Sequence, residues 1–288
     1  MINEVLKKQI EKYNPNSLND IKNAIREMLQ KIILCELGKT DFFNNCVFYG
    51  GTSLRIFHNL NRFSEDLDFT IFKNKNINLI DYLEIVKSNI NNYELNCNIK
   101  SKVKTINTSV ESHYLQFILK DILDITYPEF SNSINSNELI SIKVELEHTI
   151  IENSNTELLL LTYPTFCQVR LFTLDTLFAS KLLAIKNRNW KSRVKGRDYY
   201  DYLFYIENNV KINMAFLKNG LIKFKAIEEN ETFNLQILKN LLLNIFNTVN
   251  YDEIKNDIIP FIKNNDNYIL SLNKDIFIAT IDLLKEFK

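Results

Sequence analysis

The spacing of apolar residues along this 288-residue chain predicts helices and strands in the first half and mainly helices in the second. Apolar positions three and four residues apart predict that residues 1–38 are helical, with Ser17 as an N-cap and Gly38 as a stop. Short apolar or alternating runs predict strands at 46–49, 67–72, 94–106, 113–126 and 141–147. Helical spacing predicts further helices at 52–60, 78–92, 174–187 and 197–208.

These elements predict an α+β fold, in which a mixed β-sheet is flanked by helices and followed by a helical C-terminal region. The third and fourth predicted strands read as a hairpin. Residues 127–139 read as a loop because of a proline and a serine and asparagine cluster, and a second loop ends near Pro164. We therefore expect an α/β core with N-terminal helices over 1–170 and a helical domain over 171–288.

The charge balance and the lack of long apolar runs exclude some classes of function. The 35 basic and 35 acidic side chains cancel, which argues against coating of nucleic acid by bulk electrostatics but leaves room for a local basic patch. No apolar run approaches the roughly 18 residues of a membrane span. The first residues lack the basic and apolar segments of a secretion signal. The sequence thus predicts a cytoplasmic protein with no membrane partner.

Cysteine and histidine do not suggest a metal cage. The four cysteines have no recurring spacing and the three histidines stand alone, so neither a zinc site nor a histidine-based triad is expected. The chemistry must then use carboxylates, lysines and backbone amides. The residues concerned are Cys35, Cys46, Cys97, Cys167, His58, His113 and His148.

Two adjacent glycines stand out in a chain that has only five. Gly50 and Gly51 separate the predicted strand 46–49 from a predicted helix, and a helix N-terminus with glycines suits a phosphate group. A hydroxyl at Thr52 or Ser53 can add a hydrogen bond. A tight turn with Thr52 as N-cap is the commoner explanation of such a dipeptide taken alone.

Acidic residues mark one face of two predicted strands. Asp66 and Asp68 are two apart and project from the same face, while Leu67 points to the core. Adjacent carboxylates repel, and a divalent cation such as Mg²⁺ relieves the repulsion. Glu145 can complete a three-carboxylate site if its strand is a neighbour. Solvent-facing charged strands are the alternative.

A lysine interrupts an apolar helix. Lys181 lies in the run 177–185 and needs either a partner or access to water. After Gly196, Arg197 and Asp201 share one helical face and can simply pair with each other.

Taken in order, these segments resemble the AbiEii/AbiGii toxin-like nucleotidyltransferases, a branch of the DNA polymerase β-like nucleotidyltransferase superfamily. The resemblance covers roughly residues 20–210. It implies an Mg²⁺-dependent enzyme that transfers NMP from an NTP to an acceptor, an RNA such as tRNA. The enzyme would be the toxin of a toxin–antitoxin or abortive-infection pair with a cognate antitoxin. The motifs are Phe48–Phe69, Lys143–Leu146, Ala179–Ile185 and Arg197–Tyr202.

The resemblance also implies roles for individual residues. Two metal ions would clamp the attacking and leaving oxygens, with Glu145 also acting as general base, and the helical domain would complete the active site. The chain has Gly-Gly-Thr where the wider superfamily has Gly-Ser. The implied metal ligands are Asp66, Asp68 and Glu145. The implied nucleotide-phosphate contacts are Gly50, Gly51, Thr52, Ser53 and Lys181. The implied catalytic set is Asp66, Asp68, Glu145, Lys181 and Asp198.

Two alternatives stay open on the sequence. The acceptor can be a small molecule or a protein, or the fold can be a nucleotide-binding module without catalysis. A basic stretch beside Trp190 favours a nucleic-acid contact, although a solvated basic loop explains it as well. Its cationic residues are Lys186, Arg188, Lys191, Arg193 and Lys195.

Overall fold

The computed structural model of the chain describes residues 2–72, 76–102, 109–188, 194–262 and 268–287. The strands are β1 (Cys46–Tyr49), β2 (Asp66–Ile71), β3 (Asn98–Ser101), β4 (Val110–Ile118), β5 (Leu139–Glu147), β6 (Thr156–Leu161) and β7 (Cys167–Phe172). The first seven helices are α1 (Ile2–Glu11), α2 (Leu18–Gly38), α3 (Phe42–Asn45), α4 (Gly51–Phe57), α5 (Leu79–Ile90), α6 (Leu119–Thr126) and α7 (Pro128–Ser131). The others are α8 (Leu174–Arg188), α9 (Gly196–Glu207), α10 (Met214–Lys223), α11 (Leu235–Thr248), α12 (Tyr251–Ile258), α13 (Tyr268–Ser271) and α14 (Lys274–Thr280).

The seven strands form one mixed sheet in the order β3-β4-β5-β2-β1-β7-β6. Strand β2 runs antiparallel to β1 and parallel to β5, and β7 runs parallel to β1. Strand β4 pairs antiparallel with both β3 and β5. The predicted hairpin is therefore present, although residues 103–108 of its first predicted strand lie outside the described residues. The mixed sheet with flanking helices confirms the predicted α+β class.

The two central strands β2 and β5 alternate between a buried face and a half-exposed face. Leu67 and Phe69 of β2, and Val144 and Leu146 of β5, are fully buried. Helix α2 packs against β5 and α5 in the same core. Because side chains alternate along a strand, the residues between these four project from the opposite face of the sheet.

Helix α2 has the predicted boundaries. The Ser17 side chain accepts a hydrogen bond from the Asp20 backbone N–H over 3.2 Å, and the helix ends at Gly38. This cap satisfies one of the N–H groups that have no partner within the first turn. Among the described residues, no helix combines the length and apolar character needed to cross a membrane.

Several predictions for the sheet half were wrong. Residues 119–126 form helix α6 and not the end of a strand, because Leu119, Ile122 and Leu123 are buried on one helical face. The predicted loop 127–139 contains the single turn α7. The predicted loop before Pro164 contains strand β6, and β7 occupies a segment for which no element was predicted.

Two compact units make up the chain. The first comprises Met1–Asn59, Phe63–Ile150 and Leu158–Leu171, and the second comprises Leu60–Arg62, Ile151–Glu157 and Phe172–Lys288. The second unit packs helices around aromatic side chains of α9. Its Tyr205 ring stacks on Phe178 with 4.6 Å between centroids, and its Tyr202 ring meets Phe246 edge-on at 5.2 Å.

Candidate active site

Carboxylates from β2 and β5 share the half-exposed face of the sheet. Asp66 and Asp68 alternate with Leu67, which is fully buried. In the parallel register between β2 and β5, Asp66 lies opposite Lys143 and Asp68 lies opposite Glu145. Neighbouring strands are about 4.8 Å apart. The structure therefore places the three predicted carboxylates on one face of adjacent strands.

Both oxygens of Glu145 already have hydrogen-bond partners. Oε1 accepts a bond from the Ser112 hydroxyl over 2.7 Å, and Oε2 lies 2.6 Å from the Lys143 ammonium. Burial alone lowers the pKa of Lys143, but the Glu145 and Asp66 carboxylates outweigh it and raise that pKa. Lys143 is thus a fixed cation within the acidic face.

The acidic face meets some of the requirements of a site for a divalent cation. Within the described ranges, no three acidic, histidine or cysteine side chains are gathered tightly enough to hold an ion as they stand. Asp66 and Asp68 supply the carboxylate oxygens that Mg²⁺ prefers, together with water and phosphate. Glu145 fits as a third ligand only if its Oε2 releases Lys143.

Gly50 brings the backbone against Asp68. Its φ of 85° and ψ of −168° are accessible almost only to glycine. A Cβ atom at this position would lie 2.6 Å from Oδ2 of Asp68. Glycine is required here both by the backbone conformation and by the neighbouring carboxylate. The Gly-Gly turn and the acidic face therefore lie side by side.

The two hydroxyls after the glycines are used within the turn. The Thr52 hydroxyl donates to the Asp66 carbonyl, and the Ser53 hydroxyl donates to the Gly50 carbonyl over 2.8 Å. Both side chains are fully buried. A hydroxyl has one proton to donate, so in this conformation these side chains fix the turn and only backbone N–H groups remain as donors.

Lys181 finds its partners inside the helical unit. Its ammonium lies 2.8 Å from Asp198 Oδ1 and 2.8 Å from Asp201 Oδ2. Arg62 forms a two-pronged ion pair with Asp201, with both N–O distances 2.7 Å. Arg188 pairs with the other oxygen of Asp198. The expectation that a lysine in an apolar helix needs a partner is thereby confirmed.

Each charge in this cluster has a partner of opposite sign. Arg62 is 3% exposed and Asp201 is 0% exposed, so either charge alone would be strongly unfavourable. Burial raises the pKa of Asp201, but Arg62 and Lys181 outweigh it and lower that pKa below 3.8. Burial likewise raises the pKa of Asp198, and Lys181 and Arg188 outweigh it and lower that pKa. Both aspartates are therefore charged at neutral pH.

Arg197 contacts residues outside this cluster. Its guanidinium lies 4.0 Å from the centroid of the Phe261 ring, and its backbone N–H donates to Asp257 over 3.3 Å. Asp201, four residues later, is held by Arg62 and Lys181.

Three residues that contact the predicted site were not among the sequence candidates. Lys143 and Ser112 hold Glu145, and Arg62 holds Asp201. The alternation of β5 put Lys143 on the charged face, which was an available signal. Ser112 lies 33 residues before Glu145, so only the strand register reveals that contact.

The fold is similar to that of a solved nucleotidyltransferase toxin. MenT4, a nucleotidyltransferase toxin from Mycobacterium tuberculosis H37Rv, has a similar fold. The TM-score is 0.59 at 15% identity, over 97% of this chain and 89% of that one. JHP933 from Helicobacter pylori is 22% identical over 91% of this chain and 88% of that one, with a TM-score of 0.47.

The family follows from the sequence itself. The family described as nucleotidyl transferase AbiEii toxin, type IV toxin–antitoxin system, matches residues 32–270. The chain belongs to this family, which confirms the resemblance inferred from its motifs. Comparison with curated proteins finds no match.

Proposed function

We propose that this protein transfers NMP from an NTP to an RNA acceptor, with tRNA the first candidate, in an Mg²⁺-dependent reaction. One observation carries the proposal. Asp66 and Asp68 project from the same strand face, and the Gly50 backbone is close enough to Asp68 to leave no room for a Cβ. Carboxylates beside a glycine turn can serve a cation and the phosphates that it binds at the same time.

The three predicted carboxylates and the glycine turn then have separate roles. Asp66 and Asp68 would hold Mg²⁺, which when bound neutralises and orients the phosphates. The backbone N–H groups of Gly51 and Thr52, at the start of α4, would donate to phosphate oxygens. Glu145 would act as third ligand and as general base, accepting the proton of the acceptor hydroxyl at Oε2 once Lys143 has moved away.

Lys181 and Asp198 are proposed as the contribution of the helical unit. Two of the three N–H groups of Lys181 point to Asp198 and Asp201, which leaves one for a phosphate oxygen. Asp198 would act as a positioning residue, because it fixes the direction of the Lys181 ammonium.

A basic stretch of the sequence is the feature that supports RNA as the acceptor. Lys186 and Arg188 end helix α8, and Lys195 directly precedes α9. Trp190, Lys191 and Arg193, which belong to the same predicted stretch, lie outside the described residues. The proposal includes a cytoplasmic location, a role in abortive infection and a cognate antitoxin, the last of which the family description implies.

The test is a transfer assay with purified protein, Mg²⁺, each labelled NTP in turn and total RNA. Label in a tRNA-sized band is expected with the unaltered protein and is lost in Asp66→Asn and Asp68→Asn. Glu147→Gln, on the same face of β5, is the matched control and keeps the activity. Label in protein or in small molecules would mean that these, and not RNA, are the acceptor. NTP binding without any transfer would contradict the proposal.

A further inference from the structure

The half-exposed face of the sheet continues beyond the acidic residues. Lys143 of β5 lies opposite Tyr114 of β4, and Tyr114 lies opposite Lys100 of β3. Because directly opposed residues on paired strands share a face, these side chains extend the row that begins with Asp66. With neighbouring strands about 4.8 Å apart, the row from Asp66 to Lys100 spans about 14 Å.

Hydrogen bonds across the strands agree with this register. The Ser112 hydroxyl of β4 donates to Glu145, and the Gln116 amide of β4 donates to the Ser141 hydroxyl of β5 over 3.1 Å. The residues of β4 that alternate with these are buried on the opposite face, and they are His113, Leu115 and Phe117. Strand β4 therefore presents its polar side chains to the same face as Glu145.

Beyond β5 this face changes from acidic to neutral and basic. The polar side chains that β4 and β3 add to it are Ser112, Tyr114, Gln116, Asn98 and Lys100. None of them is a carboxylate, and Lys100 is exposed and has no ion pair among the described residues. On these four strands, the negative charge of the face is thus confined to β2 and β5.

Tyr114 places an aromatic ring in the middle of the extended face. The ring is half-buried and lies between Lys143 and Lys100 in the strand register. No other aromatic ring packs against it in the part of the chain that the structure describes. Aromatic rings on an open sheet stack unpaired RNA bases, while neighbouring cations hold the phosphates. The amides of Gln116 and Asn98 can hydrogen-bond to base edges.

The extended face lies on the side from which an acceptor has to approach. The turn at Gly50 follows β1, on one side of β2, and Glu145 is on β5, on the other side. In the proposed reaction the nucleotide phosphates lie at the turn, and Glu145 accepts the proton of the attacking hydroxyl. The acceptor therefore approaches across β5, and β4 and β3 are the strands beyond it.

Lys143 links the extended face to the acidic site. Its ammonium lies 2.6 Å from Oε2 of Glu145, and Glu145 can serve as ligand or base only when this contact breaks. A phosphate group of the acceptor offers the ammonium another anionic partner. Binding of the acceptor and release of Glu145 are then one event.

We propose that the face formed by β5, β4 and β3 binds a single-stranded segment of the acceptor RNA. One base stacks on Tyr114, and phosphates lie at Lys143 and Lys100. The segment is single-stranded because a base can stack on a protein ring only when it is free of its duplex neighbours. This inference rests on the proposed function, since it takes the acceptor to be RNA.

Fluorescence anisotropy with a labelled RNA of mixed sequence, about 16 nucleotides long, tests the proposal on the full chain. NTP is left out, so that binding is measured whether or not transfer takes place. We expect the single strand to bind, and the same RNA annealed to its complement to bind more weakly.

Substitutions of Tyr114 locate the stacked base. Tyr114→Leu should weaken single-strand binding about 5- to 100-fold, because the stacking of one base is lost. Tyr114→Phe keeps the ring and should bind like the unaltered protein. Tyr82→Leu, at a half-buried tyrosine of α5, is the matched control and should leave binding unchanged.

The dependence of binding on salt tests the phosphate contact at Lys100. Lys100→Gln should lower the slope of log affinity against log salt by about 0.7, the value for one phosphate on a single strand. Lys8→Gln, at an exposed lysine of α1, should leave the slope unchanged. Lys100 is two strands away from Glu145, so its replacement does not alter the Mg²⁺ requirement at saturating RNA.

Three results would overturn the inference: no measurable binding of the single strand, equal binding by Tyr114→Leu and the unaltered protein, or equally tight binding of the duplex. Failure of the proposed function gives a different result. Binding that depends on Tyr114 without any label in RNA contradicts the transfer reaction and supports the binding face. Label in RNA with binding indifferent to Tyr114 contradicts the binding face alone.

Discussion

The ammonium of Lys143 lies 2.6 Å from Oε2 of Glu145, two residues further along β5. The same lysine is opposite Asp66 in the parallel register with β2. A positive charge is therefore built into the face that carries the predicted metal ligands. It relieves the repulsion between neighbouring carboxylates, which is the task that a bound cation would otherwise perform.

Replacing Lys143 should make the acidic face a better cation site. Lys143→Gln removes the competing charge and frees Oε2 of Glu145, so we expect the Mg²⁺ concentration for half-maximal transfer to fall about fivefold. Lys100→Gln, an exposed lysine on β3, is the control and should leave that concentration unchanged. An unchanged or higher Mg²⁺ requirement in Lys143→Gln would mean that Lys143 does not compete with the ion.

Gly50 should tolerate no side chain. Gly50→Ala places a methyl group at a φ of 85° and against Asp68 Oδ2. We expect the free energy of unfolding, measured in urea, to be about 1–3 kcal/mol lower than that of the unaltered protein. We also expect transfer activity to be lost, because the methyl group displaces Asp68. Gly38→Ala, which adds a methyl group at the end of α2 without requiring a positive φ, should keep full activity. Full activity in Gly50→Ala would show that transfer does not require Asp68 in its observed position.

The buried pair of Arg62 and Asp201 should dominate the stability of the helical unit. Asp201→Asn removes the carboxylate that Arg62 pairs with and leaves Lys181 with Asp198 alone, and we expect a loss of about 3–5 kcal/mol in the free energy of unfolding. Asp282→Asn is the matched control, because Asp282 is 93% exposed beside Lys239, and it should change that free energy by less than about 0.5 kcal/mol. Urea denaturation distinguishes the two, and equal effects would contradict the account of the cluster.

The same cluster predicts how stability depends on pH. The pKa values of Asp198 and Asp201 are lowered below 3.8 in the folded state, so their stabilisation is fully present above that value. As pH falls below about 4, the unfolded chain takes up protons that the folded chain does not, and stability falls. Urea denaturation between neutral pH and pH values below 3.8 should give a shallower pH dependence in Asp201→Asn than in Asp282→Asn. Identical slopes would contradict the lowered pKa of Asp201.

Alternation along β2 was enough to predict the acidic face. Asp66 and Asp68 are separated by a fully buried Leu67, and that pattern alone places both carboxylates on one side of the sheet. The use of the Thr52 and Ser53 hydroxyls could not be predicted in this way. It depends on carbonyl groups that come close only after the turn has folded, such as that of Asp66.

The sequence did not predict the correct secondary structure where the spacing of hydrophobic residues changes without a break. Strand β4 ends at Ile118 and helix α6 begins at Leu119, with no glycine or proline to mark the change. Strand β6 contains four consecutive leucines, and such a short apolar run does not reveal its period. Its residues Leu158 and Leu160 are about half exposed, so the run lacks the burial of a central strand.

Direct measurement of cation binding tests the central claim, that Asp66 and Asp68 together hold a divalent cation. Electron paramagnetic resonance with Mn²⁺ in place of Mg²⁺ reports free and bound ion without requiring any transfer activity. We predict stoichiometric binding in the unaltered protein with ATP, and its loss in Asp66→Asn/Asp68→Asn but not in Glu147→Gln. Equal Mn²⁺ binding by the double variant and the unaltered protein would contradict the claim.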